Sequence, residues 1–131
     1  NIAAAVVSND FKIVKKLSVP TLAQRDSSLI MDDMAQLSRD VCRESGIELK
    51  DIEAIGIASP GGANHDTGAV EYACNLPFRN FPICRELSDR LGVENIHVEN
   101  YVVGKHSKVI HCKELIADAD TPGYVRRGDT L

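Results

Sequence analysis

Asp51-Ile52-Glu53-Ala54-Ile55-Gly56-Ile57-Ala58-Ser59-Pro60-Gly61-Gly62 is the stretch whose reading decides the fold. Ile52 to Ala58 is short, apolar and followed by turn formers, which predicts a central strand of a βαβ unit, buried on both sides. A second run, Ile96-His97-Val98, reads as another buried strand and ends in the polar pair Glu99-Asn100. In open α/β sheets ligands sit in the crevice outside the carboxyl ends of the strands. Two strands that end in Ser59-Pro60-Gly61-Gly62 and in Glu99-Asn100 therefore predict a ligand site at their carboxyl ends.

Upstream, Ile2 to Val7 and Phe11 to Val19 are β-like runs separated by Ser8-Asn9-Asp10, the pattern of a hairpin. Asp26, Ser27 or Ser28 then caps a predicted helix whose apolar stripe is Ile30, Met34, Leu37 and Val41, closed by Gly46. Downstream, Gly61 to Pro77 reads as irregular around a short strand, Ala69 to Tyr72, and long loops in compact domains usually carry function. Pro82 opens a second predicted helix with the stripe Ile83, Leu87 and Leu91, stopped by Gly92. Periodicity alone supports an α/β domain with a mostly parallel sheet flanked by helices.

A length of 131 residues suits one domain with a real core. No apolar run approaches the ~18 residues of a membrane span, so no membrane partner is expected. A net charge of −4 with a pI near 5.5 argues against direct nucleic-acid binding by this segment, which would show as a basic face. Cys42, Cys74, Cys84 and Cys112 lack C-x-x-C spacing, so neither a zinc knuckle nor a redox pair is indicated. Asn1 opens the chain in place of Met, without a basic-then-apolar leader, and the expectation is a cytoplasmic piece that has been processed or cut from a longer chain.

Gly56-Ile57-Ala58-Ser59-Pro60-Gly61, Tyr72-Ala73-Cys74-Asn75-Leu76, Phe78-Arg79-Asn80-Phe81-Pro82-Ile83 and Val98-Glu99-Asn100 resemble, in order, the amino-terminal lobe of the ROK family of sugar kinases and repressors. The resemblance covers about residues 1–100 and implies half of an actin-like ATPase lobe, a ribonuclease-H-like fold. The activity it implies is transfer of the ATP γ-phosphoryl to a hexose hydroxyl, glucose above all, with ATP and Mg²⁺ as cofactors. It implies that Asn75 and Asn100 contact the hexose, and that Gly61, with Gly62 beside it, lets the backbone approach the ring. Read from the residues alone, Asn75 is equally a turn cap, Gly61-Gly62 a tight turn needing positive φ, and Asn100 an ordinary strand end.

Where the family places its catalytic aspartate, this chain has Tyr101, a phenol with pKa ~10 that keeps its proton at neutral pH. Glu99 is a weak substitute, since two residues along a strand displace it by about 6 to 7 Å. It is expected to face solvent or an ion-pair partner, and no catalytic residue is assigned. The family's Asp-x-Gly-Gly-Thr phosphate hairpin precedes the residues that match Asn1-Ile2-Ala3 and does not occur in this sequence, nor does its His/Cys zinc module.

The same family includes sugar-binding repressors, so the other reading is a non-catalytic sugar-sensing or oligomerisation module, with a homodimer as its expected partner state. Residues 101–131 depart from the family and predict an amphipathic helix over 107–119 with the stripe Val109, Cys112, Ile116 and Ala119, packed on the same domain. His106, His111 and Cys112 do not share a helical face and predict no metal site. Arg127-Gly128-Asp129 reads as coincidence, and His65 and His97 as structural.

Overall fold

The structure, a computed structural model, describes residues 1–73 and 75–100. Seven strands and two helices are present among them: β1 (Ile2–Val7), β2 (Ile13–Val19), α1 (Ser27–Glu44), β3 (Ile55–Ser59), β4 (Gly62–Asn64), β5 (Ala69–Tyr72), β6 (Arg79–Phe81), α2 (Ile83–Leu91) and β7 (Ile96–Asn100). The predicted helix at 107–119, Tyr101, and the histidine and cysteine cluster of the tail lie outside the described residues.

β1 and β2 pair antiparallel from Ile2 opposite Val19, with a register shift between Val6 and Val7. The turn between them is two residues longer than Ser8-Asn9-Asp10, because Phe11 enters the left-handed region at φ 63° and the Ser8 N–H donates to the Lys12 carbonyl at 2.9 Å. Strand pairing resumes only at Ile13.

α1 begins where the sequence signals it. The Asp26 carboxylate accepts the Ser28 backbone N–H at 3.0 Å, one of the orphan donors of a first turn. Ile30, Met31, Ala35, Leu37, Val41 and Cys42 form its buried face, and Gly46, at φ 74°, turns the chain away. Met34 is packed against the core more loosely than the expected stripe implies.

A single 3₁₀ turn, Leu49–Asp51, occupies the start of the apolar stretch, so β3 begins at Ile55 rather than Ile52. β3 and β7 pair in parallel, from Ile55 opposite Ile96 to Ser59 opposite Asn100. This is the parallel pairing on which the α/β reading turns. The other pairs are antiparallel, so the parallel part is narrower than periodicity suggests. β3 is covered on one face only among the described residues: Ile57 and Ser59 are buried, whereas Gly56 and Ala58 are exposed.

The segment 61–81 is more ordered than its composition suggests. β4, β5 and β6 form a three-stranded antiparallel sheet, with Val70 opposite Phe81 and Tyr72 opposite Arg79. Tertiary contacts create these short strands: Val70 and Phe78 are buried in the main core, Phe78 stacks on Phe81 with ring centroids 4.7 Å apart, and the Arg79 guanidinium lies 5.7 Å from the Tyr72 ring centre.

One cluster joins α1 (Ile30, Met31, Ala35), β3 (Ile57), β5 (Val70), α2 (Ile83, Leu87, Leu91) and β7 (Ile96, Val98). Burying such side chains is worth about 1.5 to 3 kcal/mol each, which sets the position of both helices against the parallel pair. A second cluster, Val6 with Val41 and Cys42, holds the β1–β2 hairpin to α1. Arg90 staples the helices, with Nε 2.8 Å from Asp32 Oδ1 and Nη1 2.7 Å from Glu86 Oε2; these two carboxylates raise the guanidinium pKa. α2 ends at Gly92, at φ 71°, as its sequence predicts. Among the described residues no helix is long and apolar enough to cross a membrane.

Candidate functional site

The carboxyl ends of β3 and β7 lie side by side, which places Ser59 opposite Asn100. Ser59 is buried, its hydroxyl donates to the Pro60 carbonyl at 3.1 Å, and the chain turns at once through Gly61 into β4. Gly61 has φ 87°, and a Cβ there would fall 2.0 Å from the Tyr72 carbonyl oxygen and 2.8 Å from the Ala73 Cα. The absence of a side chain is thus required by the chain's own backbone. At Gly62 a Cβ would meet nothing closer than that same oxygen at 4.0 Å, so the constraint belongs to Gly61.

Asn75 is exposed in the turn between β5 and β6, which the Ala73 N–H closes by donating to the Phe78 carbonyl at 3.3 Å. Gly61 abuts Tyr72 and Ala73, and Asn75 follows two residues later, a chain distance of at most about 7 Å. The turn carrying Gly61-Gly62, the turn carrying Asn75 and the strand end at Asn100 are therefore gathered around the end of the parallel pair. The exposed Asn75 amide can donate and accept, as sugar hydroxyls do.

Glu99 is placed differently from a solvent-facing carboxylate. It is buried, 9% exposed, and its Oε1 lies 2.6 Å from His65 Nδ1. The His65 ring stacks on His97 with centroids 5.6 Å apart, and His97 Nε2 is 2.6 Å from Asn95 Oδ1. Sequence reasoning gives Glu99 an unnamed partner; the partner is His65, 34 positions earlier and invisible to local spacing.

The turn that carries His65 is anchored by its other residues too. Asn64 Oδ1 accepts the N–H groups of Asp66 and Thr67 at 3.0 and 3.1 Å, the Asx geometry that makes Asn a turn residue. Gly68, at φ 73°, then comes so close to α2 that a Cβ would lie 3.0 Å from Cys84 Cβ. Its carbonyl accepts the Cys84 N–H at 3.1 Å. Burial pushes the Cys84 thiol pKa up to about 11, away from reactive thiolate character.

The described residues do not fit ATP or Mg²⁺. The concave side of the Gly61 turn is filled by the Tyr72 carbonyl, the first turn of α1 is capped by Asp26, and that of α2 is engaged by Gly68. Among the described residues no group of three or more His, Cys, Asp or Glu side chains converges as a metal site.

The Thermotoga maritima glucokinase is 30% identical over 102 residues, covering 75% of this chain and 29% of the enzyme. The glucokinase of Halalkalibacterium halodurans is 28% identical over 88 residues, 67% of this chain and 27% of that one. The crystal structure of a ROK hexokinase from Thermus thermophilus superimposes with a TM-score of 0.63 at 28% identity, over 75% of this chain and 30% of the hexokinase. These likenesses support an amino-terminal segment of a ROK-family sugar kinase. Its α/β architecture is that of an actin-like ATPase lobe. The chain spans under a third of the length of these relatives, and no family model matches it.

Proposed function

We propose that this chain supplies the hexose-facing wall of a ROK-type sugar kinase site, in an incomplete or variant form that holds the sugar without phosphorylating it. The observation that carries the reading is the register that sets Ser59, and with it the Gly61-Gly62 turn, opposite Asn100 in a chain related to two glucokinases. Asn75 and Asn100 would take hydroxyls of the ring, and Gly61 and Gly62 would offer backbone from a turn already rigid before sugar arrives. In the family activity a positioned carboxylate accepts the hydroxyl proton as the γ-phosphoryl of ATP is transferred. Tyr101 stands at that position in this sequence, and Glu99 is committed to His65. A coupled assay with ATP and glucose should accordingly stay at background.

Half a clamp of this kind should bind hexose at millimolar Kd, about −4 kcal/mol. Glucose titrated into the labelled chain should move the backbone amides of Gly61, Gly62, Asn75 and Asn100 together. Asn75→Ala should abolish the response, since each hydroxyl hydrogen bond is worth about 0.5 to 1.5 kcal/mol and little margin exists. Amides that stay still at saturating glucose, in a folded chain, would show that these turns have no sugar role.

A further inference from the structure

β4 is only three residues long, begins at Gly62 directly after the positive-φ turn at Gly61, and is followed at once by His65. It packs along β7, and its continuation carries His65 over His97 and Glu99, the two β7 residues that alternate with the core-facing Ile96 and Val98. A strand this short has little hold of its own on a neighbouring sheet. The hairpin is held at Gly68, which meets α2 through Cys84, and at His65, whose Nδ1 is buried and reaches Glu99. Both lie in the turn between β4 and β5, and the first of them fixes that turn to α2. The second adds to the packing of β4 on β7 a side-chain contact at the residue preceding Asn100.

We propose that His65 is a positioning residue, which through Glu99 fixes the Gly61-Gly62 turn against the Asn100 end of β7. At 2.6 Å a ring-nitrogen lone pair would repel a carboxylate, so Nδ1 carries the proton and faces Glu99, either as the neutral Nδ1–H tautomer or as imidazolium. The approach is close but poorly directed as a hydrogen bond, so the contact acts through the proximity of the ring N–H to the carboxylate. Low solvent access strengthens it, because Glu99 is nearly enclosed. Stacking of His65 on His97 keeps the ring from rotating away. The consequence for sugar binding rests on the hexose reading above; the positioning itself does not.

The test is made on the full chain, by backbone amide spectra with and without glucose. His65→Ala should shift the amides of Gly61, Gly62 and Asn100 in the sugar-free protein and weaken glucose binding about fivefold, the size of effect that one polar contact carries. His65→Asn places an amide donor near the position of Nδ1 and should restore both. A purely structural loss would lower the melting temperature without selecting those three amides and without rescue by asparagine. Glu99→Gln, which keeps the side-chain shape and removes the charge, should move the same amides in the same direction by less, and serves if the alanine variant does not fold. Unmoved amides in the histidine or glutamine variant, or an asparagine variant that behaves like the alanine one, overturn the proposal. If His65→Ala moves the three amides while the parent chain ignores glucose, the positioning stands and the sugar reading falls.

Discussion

β7 presents two unlike faces within five residues. Ile96 and Val98 enter the core beside Ile57, under both helices, whereas His97 and Glu99 stand on the opposite side with His65. Alternation with period two lets one strand be the foundation of the domain and the carrier of its polar contacts at once. The lesson is that the site end of the fold is held from two directions by different physics. Apolar burial fixes the strands in depth, and a close polar contact, His65 to Glu99, joins the hairpin that crosses their ends.

The strongest way to break this contrast is to put a charge on the covered face. Val98→Asp should cost at least about 4 kcal/mol, because Val98 is fully buried and no partner for a carboxylate lies in that cluster. His97→Ala, one residue away on the other face, should cost no more than about 1 kcal/mol. Urea denaturation of the two variants decides it, and similar losses would mean that the faces are not distinct.

A smaller effect sharpens the comparison at the turn that joins them. Gly61→Ala must displace the Tyr72 carbonyl as well as hold alanine at positive φ, and should cost about 2 to 3 kcal/mol. Gly46→Ala faces only the backbone penalty, since nothing lies within 4 Å of its Cβ, and should cost about 1 kcal/mol. Equal midpoint shifts would show that the close approach to Tyr72 relaxes freely.

The smallest effect is a pH dependence on the covered side. Burial raises the Cys84 thiol from its ordinary 9.0 to about 11, so the native state keeps a proton that the unfolded chain releases between those values. Stability is therefore full below pH 9 and declines as pH rises toward 11. The urea midpoint of Cys84→Ala should fall less steeply than the parent's across that range, and identical slopes would contradict the assignment.

The helices were legible because their signals are local: Asp26 before the stripe of α1, Gly46 after it, and Pro82 and Gly92 around α2. The strands of the parallel pair were legible from short apolar runs, although the start of β3 was not, because Leu49–Asp51 spends part of that run on a 3₁₀ turn. The sheet of β4, β5 and β6 was only partly legible. Ala69 to Tyr72 has strand composition, but Gly62–Asn64 and Arg79–Phe81 become strands only through their neighbours. Of the candidate site, Gly61 and the strand end at Asn100 follow from turn chemistry and register. The His65–Glu99 contact depends on a hairpin folding back over a strand far along the chain, which no periodicity encodes.

The parallel pairing of β3 with β7 also sets an order of events as the chain is made. Ser59 leaves the ribosome about forty residues before Asn100, which faces it across the finished pair. At 5 to 20 residues per second that is a wait of roughly 2 to 8 s, during which Ile55 and Ile57 have been synthesised but β7 has not. An open strand edge with apolar side chains is a template for association with other nascent chains. The hairpin sheet and α2 emerge within that interval and bury Val70, Phe78, Ile83 and Leu87 with Ile57 in the same cluster, so they can shield β3 before its partner arrives.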